Sequence, residues 1–95
     1  MYGIAFEWDP RKDTANRRKH GVEFAEATTV FDDPLSMTIP DPDHGRDEDR
    51  FVIIGMSGER SLLVVVHTIR GEQIRLISAR LATKHERRKY EETSV

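Results

Sequence analysis

Five consecutive apolar residues, Leu62-Leu63-Val64-Val65-Val66, form the longest purely apolar run in the chain and constrain its fold more than any other feature. A strand with one face in water alternates apolar and polar positions, whereas a valine-rich run without alternation reads as a central strand covered at least partly on both faces. At five residues the run is far too short to cross a membrane, which takes roughly 18. Neighbouring strands must therefore flank it. The patterns and turn signals around it supply them: Leu35 to Ile39, Arg50 to Met56, Ser61 to Ile69 and Gln73 to Arg80, with Ser57-Gly58-Glu59 and Arg70-Gly71-Glu72 as turns, predict an antiparallel meander of about four strands.

The first third of the chain has a different period. Ile4 to Trp8 has the alternation of a short strand, and Asp9-Pro10 is a helix start, with aspartate as the cap and proline in the first helical position. That helix runs to about Lys19 and stops at Gly21, where a left-handed conformation suits a helix end. Phe24, Ala27, Val30 and Phe31 then recur at three- and four-residue spacing, so a second helix buries one face until Asp32-Asp33-Pro34 breaks it. Near the other terminus, Thr83 and Glu86 have the spacing of a capping box, so a last helix starts at about residue 83 and extends to about Glu92. Tyr90 is its only large apolar body. The expected fold is thus α+β, a single domain over residues 1–95: a helical hairpin, residues 10–31, packed on the sheet, with a C-terminal helix. With 37% hydrophobic and 34% charged residues, the chain can build one modest core.

Several classes are disfavoured by composition. Cysteine is absent, which removes disulfide scaffolds, thiolate nucleophiles and Cys-ligated zinc and fits a reducing compartment. The first twenty residues carry Glu7, Asp9 and a basic cluster where a secretory signal would be apolar, so the expected location is the cytoplasm. The acidic stretch from Asp41 to Asp49 matches a calcium loop only in part, and His20, His44, His67 and His85 lack paired zinc spacing, so no metal or cofactor is expected. Phosphate-binding glycine loops and hydrolase elbows are missing as well.

Charge is strongly segregated beneath a net value of −2. Residues 60–89 hold eight basic and two acidic residues, residues 10–20 hold five basic and one acidic, and residues 32–49 hold seven acidic and one basic. A local cationic face of this kind can focus a polyanion even in an acidic protein. On the last hairpin, a two-residue loop would give His67, Leu76, Ser78 and Arg80 one face and Thr68, Arg70 and Arg75 the other; a three-residue loop would reverse the partnership. Arginine forks can hold phosphate oxygens, and a histidine can move the proton of an RNA 2′-hydroxyl. Each residue also has a structural reading. His67 suits a hydrogen-bonded strand end, Arg70 a solvated turn, Arg75 and Arg80 carboxylate partners, and Lys19-His20 the negative end of a helix dipole.

A resemblance narrows these alternatives. Phe6-Glu7-Trp8-Asp9-Pro10, Lys19-His20-Gly21, Phe31-Asp32-Asp33-Pro34, Glu48-Asp49-Arg50, Ile54-Gly55, Val66-His67-Thr68 and Arg75-Leu76-Ile77-Ser78-Ala79-Arg80, with Thr83, Glu86, Arg87 and Tyr90, resemble in order the BrnT toxin family. The resemblance implies a RelE-like fold and a ribonuclease toxin of a bacterial type II toxin-antitoxin system that arrests translation by cleaving RNA. It implies a BrnA-like antitoxin with a ribbon-helix-helix DNA-binding domain, through which the complex represses its own operon. On the matching positions, Arg50, His67, Arg75 and Arg80 are the expected catalytic residues, with Lys19, His20 and Tyr90 as secondary RNA-binding candidates. Two other classes compete with the nuclease: a non-catalytic binding module of the same fold, and a corepressor subunit that acts only through its partner.

Overall fold

The structure, a computed structural model, describes residues 4–42 and 49–93. The acidic stretch singled out above falls largely on residues 43–48, outside the described residues. Five strands form one sheet in the order β1-β5-β4-β3-β2, with β1 at Ala5–Glu7, β2 at Met37–Pro40, β3 at Arg50–Met56, β4 at Leu62–Arg70 and β5 at Gln73–Leu81. The apolar run lies in β4, at the centre, where Leu62, Leu63, Val64 and Val65 are all buried. Neighbours β3 and β5 pair antiparallel with it, as the meander predicts.

Two features depart from expectation. The N-terminal strand joins the sheet, pairing parallel with β5 through Ala5↔Gln73, Phe6↔Ile74 and Glu7↔Arg75, so the sheet has five strands and is mixed. A parallel neighbour needs a long crossover, and here nearly the whole chain supplies it. β2 also begins at Met37 and not Leu35, because the Asp33 carboxylate accepts from the Leu35 amide at 2.9 Å and holds Pro34-Leu35 in a turn.

Helix α1, Pro10–His20, begins and ends where the caps predict. Asp9 accepts from the Arg11 amide, and Gly21 at φ 71° closes the helix by donating to the Arg17 carbonyl. Its sequence is polar nearly all round, and Asn16 is its one buried residue. That amide replaces an apolar stripe. Asn16 Nδ2 donates to the carbonyls of Val22 and Ala79 at 3.0 and 2.8 Å, and its Oδ1 accepts from the Ala79 amide at 3.1 Å. Beyond the end of short β1, the side chain thus satisfies the backbone of β5 as a further strand would.

Helix α2, Phe24–Thr28, and the 3-10 turn Thr29–Asp32 that follows cover the same face of the sheet. Glu23 does not cap α2, and Asp13 of α1 does so instead by accepting from the Phe24 amide at 2.9 Å. Val22, Phe24, Ala27 and Val30 pack on Ile53, Leu63, Val65, Leu76 and Ala79, with Phe6, Trp8, Phe31 and Ile74 at the margin. The 3-10 turn sits so close to β3 that a Cβ at Gly55 would lie 3.1 Å from the Val30 carbonyl oxygen. Helix α3, Lys84–Thr93, carries Lys89, Glu92 and Thr93 along an apolar groove of the opposite face, lined by Met37, Ile39, Val52, Ile54 and Val64. No described helix is long and apolar enough to cross a membrane.

Candidate RNA-binding face

The face opposite α1 and α2 is read from the register. Arg50 in β3, Thr68 in β4, Arg75 in β5 and Glu7 in β1 pair in one row across the sheet. A second row runs Ile39, Val52, Val66, Ser78, and a third runs Met37, Ile54, Val64, Arg80. Alternation along each strand puts all three rows on one side. One irregularity makes this possible. Between Val66↔Ser78 and His67↔Leu76, β5 contains an extra residue, Ile77, in a β-bulge.

The bulge corrects the expected hairpin faces. The loop has the two residues Gly71-Glu72, so His67 opposes Leu76 and Thr68 opposes Arg75 as foreseen. Beyond Ile77 the parity inverts, and Ser78 and Arg80 move to the face of Thr68 and Arg75. Arg50, Arg75 and Arg80 therefore share a face, whereas His67 lies on the other. There it is 3% exposed, its ring edge-on to Phe31 at 4.9 Å and stacked with Phe51 at 6.0 Å, with Nδ1 3.3 Å from the Val65 carbonyl. Burial disfavours the imidazolium and holds His67 below the ordinary histidine range. A proton shuttle at the cationic face is not open to it.

Arg50 and Arg80 line one hollow of about 480 Å³, together with Asp41, Val52, Val66, Ser78 and Glu86. Arg80 does not stand free in it. Its Nη1 and Nη2 donate to the two carboxylate oxygens of Glu86 at 2.7 and 2.9 Å, and Nη1 also donates to the Leu81 carbonyl at 3.2 Å. These bonds draw the Glu86 carboxyl down to about 2 and raise the guanidinium. Glu86 simultaneously closes the capping box of α3, accepting from the Thr83 amide at 2.8 Å and donating its own amide to Thr83 Oγ1 at 3.2 Å.

The other sequence candidates are dispersed. Arg75 lies beyond the hollow, 3.5 Å from Glu7, and Arg70, an exposed residue at the end of β4, approaches the same carboxylate at 3.7 Å. Lys19 and His20 end α1 and do not line the hollow that holds Arg50 and Arg80. Tyr90 is buried in α3, and its hydroxyl donates to Asp33. Sequence reasoning set Ser78 on one face with Arg80 but overlooked Asp41 and Glu86 as neighbours of the arginines. Only Glu86 had a signal, since its capping-box position six residues after Arg80 brings a carboxylate back toward the strand end. Among the described residues no cluster of three or more metal-ligating side chains occurs.

Comparison with known proteins bears on what this face serves. Residues 8–86 match the family described as the ribonuclease toxin BrnT of type II toxin-antitoxin systems. The chain belongs to the BrnT family. The match spans both caps of α1, the bulged hairpin and Glu86. No curated protein matches the chain significantly. Among solved structures it is similar to the 1.1 Å crystal structure of the Brucella abortus ribonuclease toxin BrnT, with a TM-score of 0.66 and 24% identity over 85% of this chain and 97% of that one. That likeness shows that the two chains share a fold. Family membership carries ribonuclease toxin activity and an antitoxin partner at the level of the family.

Proposed function

We propose that this BrnT-family chain is an endoribonuclease that cleaves RNA at the open face and arrests translation, and that a BrnA-like ribbon-helix-helix antitoxin neutralises it. The observation that carries the proposal is the bulge at Ile77, which groups Arg50, Arg75 and Arg80 on a face that α1 and α2 leave uncovered. Adjacent strands lie about 4.8 Å apart. Arg50 and Arg75, on either side of β4 in one row, can both reach the backbone of one RNA strand, with Arg80 and Ser78 beside the hollow.

The reaction is attack of a 2′-hydroxyl on the adjacent phosphorus. The 2′-oxygen forms its bond to phosphorus, the bond to the 5′-oxygen breaks, and the proton lost by the 2′-hydroxyl is returned through water to the leaving 5′-oxygen. The products are a cyclic phosphate and a free 5′-hydroxyl. Charge grows on the non-bridging oxygens along the way, and guanidinium forks aimed there stabilise it. In this reading Arg50 and Arg80 act directly, Arg75 tracks the backbone beside Glu7, and His67 supports the fold and not the chemistry. Lys19, His20 and Tyr90 have no place at the reacting phosphate. The route draws its positive charge from arginine and needs no metal. Kinship with RelE-like ribonucleases and a cytoplasmic site of action belong to the same reading.

The antitoxin would cover the open face, so binding and inhibition are one event, and operator DNA would be reached only through it. Carboxylates on the antitoxin facing Arg50, Arg75 and the basic surface of α3 would speed association at low salt. The test uses purified, antitoxin-free protein with RNA and DNA strands of one sequence, with and without EDTA. RNA should be cut with or without the chelator and DNA should survive. Cleavage of both strands, or abolition by EDTA, would sink the mechanism; no cleavage by protein that still binds its antitoxin would favour a binding module.

A further inference from the structure

A guanidinium has five N–H donors, and three of those on Arg80 are used by Glu86 and Leu81. What remains is the Nε–H and one Nη2–H, which lie along a single edge of the planar group and together match two phosphate oxygens. We propose that Glu86 is a positioning residue for RNA cleavage: it clamps one edge of Arg80 so that the other is held ready for a phosphodiester in the hollow. The inference rests on the reading of that hollow as the RNA site and assigns a role to a residue that would not itself touch RNA.

Arg80 is a long, flexible side chain with 40% of its surface exposed, and an unrestrained one would have to be ordered by each substrate that arrives. The clamp orders it beforehand. Glu86 can do this because its carboxylate is itself held, accepting from the Thr83 backbone amide at the first turn of α3, a bond that does not involve the Thr83 side chain. Strand β5, Arg80, Glu86 and the start of α3 thus form a closed loop of polar bonds. An ordinary exposed pair would be too loose for the purpose, but here the contact is two-pronged at 2.7 and 2.9 Å. Because the pair is neutral as a unit, Arg80 acts through directed donors.

Glu86→Gln tests the idea without dismantling the helix, because glutamine serves a capping box as glutamate does. It removes the charge and one of the two acceptors facing Arg80. Turnover should fall about tenfold with KM changed less than twofold, the signature of a lost transition-state interaction. Thr83→Ala is the companion variant: it loosens the start of α3 and leaves both Arg80–Glu86 bonds, and its turnover should stay within about twofold of the parent. A readout that does not depend on cleavage is the side-chain NMR spectrum of the arginines during titration with a non-cleavable 2′-deoxy oligonucleotide. The Arg80 Nη protons should be resolved in the parent and in Thr83→Ala and averaged in Glu86→Gln, and the Arg80 Nε–H should shift on titration only in the first two.

Unchanged or faster turnover in Glu86→Gln would overturn the inference, and so would a loss in Thr83→Ala as large as in Glu86→Gln, which would reduce Glu86 to a helix cap. An Arg80 Nε–H that ignores the oligonucleotide would do the same. If the Nε–H shifts as expected and the parent still fails to cut RNA, Glu86 positions Arg80 for phosphate binding alone, and the ribonuclease reading falls.

Discussion

The Tyr90 hydroxyl donates a 2.6 Å hydrogen bond to the Asp33 carboxylate, which also accepts from the backbone amides of Leu35 and Met56 at 2.9 and 2.7 Å. One carboxylate thereby ties the C-terminal helix to the turn before β2 and to the end of β3. Tyr90→Phe should keep the ring in place and lose the bond, at a cost of about 1–2 kcal/mol in urea unfolding, with amide exchange quickened in α3 and unchanged in β4. Burial, assisted by the Asp33 charge, pushes the tyrosine up to about 12 from 10.0. A folded value above the unfolded one gives stability that is whole below pH 10 and is lost as pH rises from 10 toward 12. The phenylalanine variant should lose that alkaline slope, and an unaltered slope would place its origin elsewhere.

Acid should loosen the same helix from its other end. Glu86 is lowered to about 2 from 4.5, chiefly by its bonds to Arg80, and Asp33 is lowered by the Met56 amide, Tyr90 and the Leu35 amide against the opposing effect of burial. Both folded values lie below the unfolded ones, so their stabilisation is present above about pH 4.5 and disappears as pH falls toward 2. Helicity and stability followed from pH 6 to pH 2 should decline most steeply below 4.5. Glu86→Gln should flatten part of that decline.

His67 separates a packing role from a catalytic one. Its ring fills space between Phe31 and Phe51, so His67→Ala should cost about 2–4 kcal/mol in chemical denaturation, as other large-to-small core changes do. Well below its melting temperature, the folded fraction of that variant should cleave RNA within about threefold of the parent rate, a change worth under one kcal/mol of barrier. A loss of a hundredfold or more at full folding would return His67 to the chemistry.

Asn16 is the polar counterpart. Asn16→Ala strips bonds from the Ala79 amide and carbonyl and from the Val22 carbonyl, at a site only 8% exposed. Buried backbone groups left unsatisfied cost about 1–3 kcal/mol each before relaxation, so a loss of at least about 2–3 kcal/mol is expected. Asn16→Asp should be no better, because a carboxylate cannot donate to the two carbonyls. Thermal midpoints of the two variants, measured side by side above pH 6, check this.

Much of the fold was legible because its signals are local. Asp9-Pro10 and Gly21 bound α1, Thr83 with Glu86 starts α3, and the apolar run with its flanking turns sets β3, β4 and β5 to within a residue or two. Each is a matter of a few neighbouring residues: a side-chain oxygen within reach of an amide, a glycine free to take positive φ, a period of two against one near 3.6. Among the candidate site residues, the arginines could be chosen by chemistry and by family resemblance, since guanidinium identity is written in the chain itself.

Where those arginines point was decided only by tertiary pairing. A single extra residue, Ile77, inverts the parity of β5, sends Arg80 to the face of Arg50 and leaves His67 in the core. Nothing in the local pattern marks it, because a bulge is a relation between two strands and not a property of one. The same holds for β1, whose parallel place beside β5 depends on residues nearly seventy positions away, and for Asn16, an ordinary helix residue until Ala79 lies against it. Sequence by itself determined which elements form and which residues could hold phosphate. The register between strands determined which of them meet, because side-chain alternation turns a one-residue shift into a change of face.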